Sequence, residues 1–600
     1  MVSRSTGNGQ ARPKEWWYTT SIKLPERETG VVSCNVIYVN AGLCTNDSAR
    51  RLSLVRLLPL NMRFIQKKVS ILAGYCSVFA LALLASTSTQ ALDCADLKDH
   101  APANAGITAT LQQAGEFVIP VQRGPERSVK LPSFCRVQGV LQPTSDSRIG
   151  FEVWLPTENW NGRFQGIGNV GFAGSINYTG LVSALQDGYA AASTDTGHQA
   201  AVTDAAWAQG HVEKVVDFGW RAVHLTAATG KALTNAFYSS PPHYSYFNSC
   251  SNGGRQGLME AQRFPQDYDG IIAGSPAYNW TRLYLSYVWN ARALSKAGAA
   301  ISAAKTPAIK EAVLAQCDVL DGIDDGLISD PRRCAVDTNK LSCTEGETDS
   351  CLTTPQIRAL EAIYQGPHTS DGTQIYFGFP PGGETAPGFP GWALWIFGKA
   401  RGQSIQNALG SSFLKYMAGA GESWTPADFD FDRDVTPLEM GTASALNATN
   451  PDLSRFAAHG GKLILYHGWS DPAIPASGTI AYRDQVISRM GKRAAAGFMR
   501  LFMVPGMHHC SGGAGPSDFG PGGAPAPGAD PATNLAAALE AWVEAGRPPE
   551  QVIAHTPPAT SGNDSGRTGL ICAYPKTAAL NAGADPMLAE SYTCNDPGSQ

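Results

Sequence analysis

The sequence carries little charge for its length, and its cysteine spacings do not match a zinc site. Only 16% of its 600 residues are charged, whereas about a quarter is usual in globular domains, and the net charge is −5. No stripe of lysine and arginine is present, so we expect no nucleic-acid partner. The 43% of hydrophobic residues is typical of a folded chain. The length indicates either one large domain with an insertion or several domains.

Long hydrophobic runs are also absent, except for one near the N-terminus. The apolar run Val69–Ala85 follows a short basic segment and precedes small and polar residues that end at Ala91. This order is typical of a secretory signal peptide. A membrane anchor is the alternative, but the run is at the lower limit of the length that spans a bilayer. We therefore predict a signal peptide at 62–91, a secreted or periplasmic protein, and no stable membrane anchor after cleavage.

Cysteines are numerous after the predicted cleavage site. Of the 13 in the chain, Cys34, Cys44 and Cys76 precede this site, which leaves ten. An even number in an exported chain indicates disulfide bonds. Four predicted pairs are close in sequence: Cys94 with Cys135, Cys317 with Cys334, Cys343 with Cys351, and Cys572 with Cys594. The remaining pair, Cys250 and Cys510, is distant in sequence.

Strands and helices alternate between about residues 128 and 280, and strand patterns resume after 461. This alternation predicts an α/β fold, with a parallel sheet covered by helices on both faces. The intervening region has few clear strands, holds two of the cysteine pairs and includes the run GFPPGGETAPGFPGW. The predicted division is 1–61 as an extension, 92–277 and 449–600 as the α/β domain, and 278–448 as an insertion.

The segment NSCSNGG, residues 248–254, lies between a predicted strand and a predicted helix. A strand, a tight turn carrying a serine and a helix form the nucleophile elbow, usually written G-x-S-x-G. Here Ser249 replaces the first glycine, so a simple Gly/Ser-rich loop is the alternative interpretation of Ser251.

Two later predicted strands also end in polar residues. Asp471 follows one strand in YHGWSD, and the pair His508 and His509 follows the next in VPGMHHC. A serine nucleophile needs a base and an orienting acid, which α/β-hydrolases place after the serine in the order acid, then histidine. A bridge between the cysteines that adjoin the serine and His509 would bring these two residues together. The predicted triad is therefore Ser251, His509 and Asp471, with His508 as a bystander.

The motifs CSNGG, YHGWSDPAIP and VPGMHHCSGG resemble those of the tannase and feruloyl esterase family of α/β-hydrolases. The resemblance covers about residues 92–600 and includes all ten cysteines. It implies a disulfide-rich α/β-hydrolase fold in which 278–448 is a large lid domain. It also implies that the backbone N–H groups of Asn252 and Gly171 form an oxyanion hole.

The segment CDVLDGIDDGLISDPRRC, residues 317–334, concentrates aspartates in one loop. Dense carboxylates repel unless something neutralises them, and oxygen-rich loops suit calcium, although a solvated acidic turn is equally compatible with the spacing. The family has a calcium loop of this kind. The resemblance implies five ligands, which are the side chains of Asp318, Asp321 and Asp325 and the carbonyl groups of Ile323 and Leu327. We expect a structural calcium ion and no organic cofactor.

The resemblance implies a secreted serine carboxylesterase whose partner is a small aromatic ester. Feruloyl-type esters are the first expectation, and galloyl esters or terephthalate half-esters are the alternatives. Four residues of the insertion are candidate substrate contacts, although each aromatic one is also compatible with lid core: Trp392, Trp395, Phe397 and Arg401. Alternatives of another class are a non-catalytic binding protein on a hydrolase scaffold and a peptidase of the same fold.

The predicted signal peptide generates a test of the N-terminus. A signal peptide acts at the start of a chain, so we expect translation to begin at Met62 and residues 1–61 to be a non-native extension. N-terminal sequencing of the secreted protein should give a chain that begins near Leu92. A mature protein that retains Trp16 and Trp17 would contradict this expectation.

Overall fold

A computed structural model describes residues 92–120, 127–385, 391–400, 402–520, 525–556 and 566–596. The predictions for 1–61, for the signal peptide and for Arg401 lie outside the described residues. The described residues all belong to one compact unit. Among them, no helix combines the length and the hydropathy that a bilayer span requires.

The strands follow one another along the described chain as β1 (Ala105–Gln112), β2 (Gly115–Ile119), β3 (Arg127–Leu131), β4 (Phe134–Leu141), β5 (Ile149–Pro156), β6 (Arg163–Ile167), β7 (Ala190–Thr194), β8 (Tyr244–Cys250), β9 (Gly270–Gly274), β10 (Lys462–Gly468), β11 (Met499–Val504), β12 (Gln551–His555), β13 (Thr568–Cys572), β14 (Thr577–Leu580) and β15 (Tyr592–Asn595). The α-helices are α1 (Tyr178–Gln186), α2 (Val212–Val216), α3 (Ala222–Tyr238), α4 (Asn252–Arg263), α5 (Trp280–Ser295), α6 (Thr306–Cys317), α7 (Thr354–Gln365), α8 (Ile405–Ser412), α9 (Val435–Leu446), α10 (Ser454–Ala458), α11 (Ala476–Met490), α12 (Lys492–Ala496) and α13 (Leu535–Ala545).

A nine-stranded sheet organises the molecule, with the strand order β1-β4-β5-β7-β6-β8-β9-β10-β11. The six strands from β7 to β11 in this order run parallel, as predicted. The other three, β1, β4 and β5, are antiparallel and form one edge, so the sheet is mixed rather than wholly parallel. Strand β1 alternates between partly buried and exposed residues, which is the pattern of an edge strand with one solvated face.

Helices cover both faces of the sheet, as the alternating pattern predicted. Strand β9 is buried along its whole length, as expected for a parallel strand between two helical layers. Its residues Ile271 and Ala273 pack in one hydrophobic cluster with α3 and α4, whereas Ile272 packs in a second cluster with α1 and α13. The two clusters confirm the α/β-hydrolase type of layering.

The region 278–448 lies between β9 and β10 in the chain. Its described residues contain α5–α9 and contribute no strand to the large sheet. Its first helix, α5, is largely buried and packs against the same cluster that covers one face of the sheet. This arrangement suits an insertion, while the exact domain boundaries and the role of a lid stay predictions.

All five predicted disulfides are present, and the prediction of a disulfide-rich fold is confirmed. Four of them join cysteines that are 8 to 41 residues apart and so fasten local loops. The fifth, Cys250–Cys510, spans 260 residues, with its Cα atoms 5.9 Å apart.

Candidate active site

Ser251 lies on a sharp turn between β8 and α4. Its backbone has φ +68° and ψ −126°, a conformation that is strained for a residue with a side chain. The Ser251 N–H donates to the carbonyl of Gly274 on the neighbouring strand. These are the features of a nucleophile elbow.

Ser249, which made the motif imperfect, is accommodated by the absence of side chains around it. A Cβ atom at Gly253 would collide with Ser249 Oγ, and a Cβ atom at Gly168 would lie 2.7 Å from the same oxygen. A Cβ atom at Gly254 would overlap the carbonyl of Gly274. The turn therefore tolerates a serine at 249 because two glycines give it room.

Three predicted residues form one hydrogen-bonded chain. The Nε2 atom of His509 lies 2.9 Å from Ser251 Oγ, and its Nδ1 atom lies 2.8 Å from Asp471 Oδ2. An ionised carboxylate only accepts, so Nδ1 carries the proton and Nε2 is free to accept from the serine. Each residue follows the carboxyl end of a parallel strand, since Ser251 follows β8, Asp471 follows β10 and His509 follows β11.

Asp471 is the buried acid of this chain. Burial alone would raise the pKa of its carboxyl, but the charge and hydrogen bond of His509, together with the hydrogen bond of His467, hold that pKa below its ordinary value. Its Oδ1 atom accepts from the backbone N–H groups of Ala473 and Ile474 at 2.8 and 3.0 Å. The carboxyl is therefore ionised at neutral pH and fixed in orientation.

The neighbouring histidine, His508, has different surroundings from His509. His508 is buried, and burial lowers its pKa to about 4. His509 is the residue that bonds to Ser251. The bridge Cys250–Cys510 joins the chain neighbours of these two residues, so it holds the serine turn against the histidine loop.

The loop after β6 contains Gly171, one of the two residues predicted to donate to an oxyanion. The N–H groups of four of its residues are already bonded, namely those of Asn169, Phe172, Ala173 and Gly174. Among the residues that the structure describes, the Gly171 N–H finds no hydrogen-bond acceptor. Its φ is +52°, and a Cβ atom there would lie 2.3 Å from the Val202 carbonyl, so only glycine fits. These facts are consistent with Gly171 as a donor, which stays a prediction.

Asn252 is the other residue predicted to donate to an oxyanion. It is the first residue of α4, where backbone N–H groups lack an intrahelical acceptor. Its side-chain Oδ1 accepts from Nε of Arg255, 2.8 Å away, and Arg255 is fully buried. The guanidinium also donates to the carbonyls of Phe218, Gly219 and Leu446, and burial lowers its pKa to about 9.

Sequence reasoning missed three polar residues that support this site. Arg255 holds Asn252, and Gln256 exchanges two hydrogen bonds with Asn169 of the oxyanion loop. His467, buried on β10, lies 3.2 Å from Asp471 Oδ2. Their positions in the sequence could have identified them. Arg255 and Gln256 are polar residues in the glycine-rich first turn of a buried helix, and His467 lies in the same motif as Asp471.

Comparison with known proteins now settles the family. The family model described as tannase and feruloyl esterase matches residues 135–595. The chain belongs to this family. It is 41% identical to an uncharacterised esterase of Xanthomonas campestris pv. campestris, covering 86% of this chain and 93% of the relative. The similar proteins are named as esterases and hydrolases, so this family member is an ester hydrolase.

Other members of the family are also similar along most of their length. The feruloyl esterase B of Aspergillus niger is 33% identical over 77% of this chain and 86% of the relative. The mono(2-hydroxyethyl) terephthalate hydrolase of Piscinibacter sakaiensis is 32% identical over 78% of this chain and 85% of the relative. The crystal structure of feruloyl esterase B from Aspergillus oryzae matches with a TM-score of 0.75 and 28% identity, covering 84% of this chain and 99% of that one.

The predicted substrate contacts of this family member are not equivalent. The Trp395 ring is half-buried and meets the His509 ring edge-to-face, with 5.4 Å between centroids. Trp392 and Phe397 are buried and pack on each other, as expected for lid core. The structure therefore brings Trp395 alone among the described candidates to the triad.

The 317–334 loop contains a buried aspartate with an unsatisfied oxygen atom. Asp318 is buried, its Oδ1 atom has no hydrogen-bond partner, and its Oδ2 atom accepts from the Gly326 N–H. Burial and the neighbouring aspartates raise its pKa. Asp325 pairs with Arg567, which neutralises one carboxylate. The unpartnered oxygen needs either a proton or a cation. The carboxylates of Asp318, Asp321 and Asp325 do not converge as one metal-binding group within the described residues, so calcium stays a prediction.

The bridge beside the triad generates a test. We expect the double variant Cys250→Ala, Cys510→Ala to lose at least about tenfold in kcat, because the serine turn and the histidine loop are no longer held together. The matched control is Cys572→Ala, Cys594→Ala, which removes a bridge that does not join the triad loops. Ester hydrolysis and thermal unfolding are measured in parallel. Equal activity losses in the two double variants would contradict a special role of the first bridge.

Proposed function

We propose that this ester hydrolase is an exported serine carboxylesterase that cleaves esters of aromatic acids. The observation that carries the proposal is the hydrogen-bonded chain from Ser251 through His509 to Asp471, beside the Cys250–Cys510 bridge. The predicted signal peptide and the five disulfides support export, because disulfides persist in oxidising compartments.

In the proposed mechanism, Ser251 Oγ attacks the ester carbonyl carbon while Nε2 of His509 takes its proton. The N–H groups of Gly171 and Asn252 stabilise the negative oxygen of the tetrahedral intermediate, where a single donor is typically worth about 3–4 kcal/mol. His509 then gives the proton to the departing alcohol, which leaves an acyl-enzyme. Water attacks that ester with the same base, and Ser251 is released.

Asp471 makes the histidine effective in both proton transfers. Its buried carboxylate holds the Nδ1 proton, which fixes the tautomer and stabilises the imidazolium that forms during each step. The burial of Asp471 keeps this interaction from being weakened by water.

The proposed substrate is an ester of a phenolic acid, with feruloyl-type esters first. Two facts support this choice: the similarity to enzymes named feruloyl esterase B, and the Trp395 ring beside His509, which offers an apolar surface to an aromatic acyl group. Galloyl esters and terephthalate half-esters are the alternatives, the latter because of the Piscinibacter relative. We also propose that 278–448 acts as the lid that supplies such contacts.

A serine substitution tests the proposed function. Ser251→Ala should lose at least about 10³-fold in kcat on methyl ferulate, methyl gallate and mono(2-hydroxyethyl) terephthalate, because the nucleophile is removed. Ser249→Ala, two residues away in the same turn, is the control and should keep most activity. For the parent, the largest kcat/KM is expected with methyl ferulate. An unchanged Ser251→Ala variant, or a parent that cleaves amides but no ester, would overturn the proposal.

We further propose calcium in the 317–334 loop. The side chains of Asp318, Asp321 and Asp325 and the carbonyls of Ile323 and Leu327 would hold it, and the bound ion would neutralise clustered carboxylates. Leu327 lies against Gly506 and Gly515, which flank the histidine motif, so the loop and the site are in contact.

Removal of the ion tests the calcium proposal. A ligand held at 100 times its Kd stabilises a fold by about 3 kcal/mol, so a chelator should lower the Tm by several degrees and added calcium should restore it. The variant Asp318→Asn should lose this response, whereas Asp337→Asn, outside the loop, should keep it. A Tm that is indifferent to chelator in the parent protein would exclude a stabilising calcium ion.

A further inference from the structure

We propose that His467 is a positioning residue for the hydrolytic reaction, a second imidazole that holds Asp471 in the orientation that His509 needs. The inference rests on the proposed function of the triad and extends it to a residue that does not touch the substrate or the reacting atoms.

His467 lies in the interior of the sheet, on β10, with none of its side chain exposed. Both ring nitrogens are in contact with polar atoms. Nδ1 is 2.7 Å from Thr479 Oγ1, and Nε2 is 3.0 Å from the carbonyl of Ile474 and 3.2 Å from Asp471 Oδ2. A buried imidazole with both nitrogens engaged is fixed in rotation as well as in position.

The partners of His467 decide its tautomer. The two atoms facing Nε2, a carbonyl oxygen and a carboxylate oxygen, can only accept, so Nε2 carries a proton. The atom facing Nδ1 is a hydroxyl, which can donate to an unprotonated nitrogen. A neutral imidazole that accepts from Thr479 and shares its Nε2 proton between the Ile474 carbonyl and Asp471 therefore places no further charge in the core.

The carboxylate of Asp471 is then held on both sides. Its Oδ1 atom accepts two backbone N–H groups, and its Oδ2 atom lies between His467 and His509. Without His467, the base would be the one side chain in contact with Oδ2, and the two N–H groups on Oδ1 would alone resist rotation of the carboxylate about its Cβ–Cγ bond. The contact with His467 also draws electron density from Oδ2, which limits how strongly Asp471 stabilises a protonated His509.

Other titratable groups near Asp471 do not replace His467. His508 lies close enough for Asp471 to affect its pKa, yet burial keeps that pKa low. Tyr287 and Tyr466 also sense the Asp471 charge, and burial raises the pKa of both, so they remain neutral at working pH. The Tyr287 hydroxyl donates to the carbonyl of Ala473 rather than to the carboxylate.

The test compares three variants by their pH profiles with methyl ferulate or the best ester of the panel. His467→Leu should lower kcat by about tenfold or more with little change in KM, because ground-state binding is untouched. It should also move the acid limb of the kcat/KM profile to higher pH, by about half a unit to one unit, since Oδ2 then stabilises the protonated base more strongly. His467→Gln, whose amide nitrogen can donate in place of Nε2, should restore most of both values.

Thr479→Val keeps the imidazole but removes the hydroxyl that fixes it, so an intermediate effect in the same direction is expected. The matched control is Thr234→Val, a buried helical threonine whose hydroxyl bonds to the Gly230 carbonyl, and it should leave the acid limb in place. Thermal unfolding is measured for every variant, because a loss of stability alone would not move the acid limb.

Several outcomes would overturn the inference. A folded His467→Leu variant with the parent's kcat and acid limb would do so, as would a His467→Gln variant no better than His467→Leu. If His467→Leu does not fold, an unmoved acid limb in Thr479→Val together with a strongly lowered kcat in His467→Gln would have the same force. Failure of the proposed function would be detected separately, because Ser251→Ala would then retain activity. The His467 and Thr479 variants do not test the identity of the nucleophile.

Discussion

The hydrogen bond between Ser251 and His509 joins residues that are 258 positions apart, and the rest of the site depends on it. Two independent constraints make this contact possible. The parallel strands β8 and β11 end at the same edge of the sheet, which brings the two loops to one side of the molecule. The Cys250–Cys510 bridge then fixes the loops at the distance that a hydrogen bond requires.

Much of the site was predictable from the sequence because its reactive residues lie in short motifs. The serine turn follows a short strand of β-forming residues, and the acid and the histidine each follow a strand with a buried, apolar pattern. Four of the five bridges join cysteines that are close in sequence. Ser249 illustrates a limit of motif reasoning. Its fit depends on Gly168, which is distant in sequence, and only the packed structure brings Gly168 and Gly253 around it.

The features that sequence reasoning missed are those created by tertiary contacts. Gln256 and Asn169 lie 87 positions apart and pair only after β6 and α4 are packed together. The antiparallel edge of β1 and β4 has the alternation of a half-solvated strand, which carries a weaker signal than the continuous apolar run of β9. The sequence could not show which of Trp395 and Trp392 lies near the triad, because both belong to the same aromatic segment. The two differ in burial, which only the packed structure shows.

The buried guanidinium of Arg255 has an electrostatic consequence for the turn above it. In the described part of the chain it forms no ion pair with a carboxylate, and its partners are backbone carbonyls, the Asn252 amide and the rings of Phe218 and Trp280. Its positive charge is therefore not cancelled locally, and it lies one helical turn from Ser251. The field of this cation adds to that of the helix N-terminus, and both favour a negative charge at the turn, as the anionic intermediate of the proposed reaction requires.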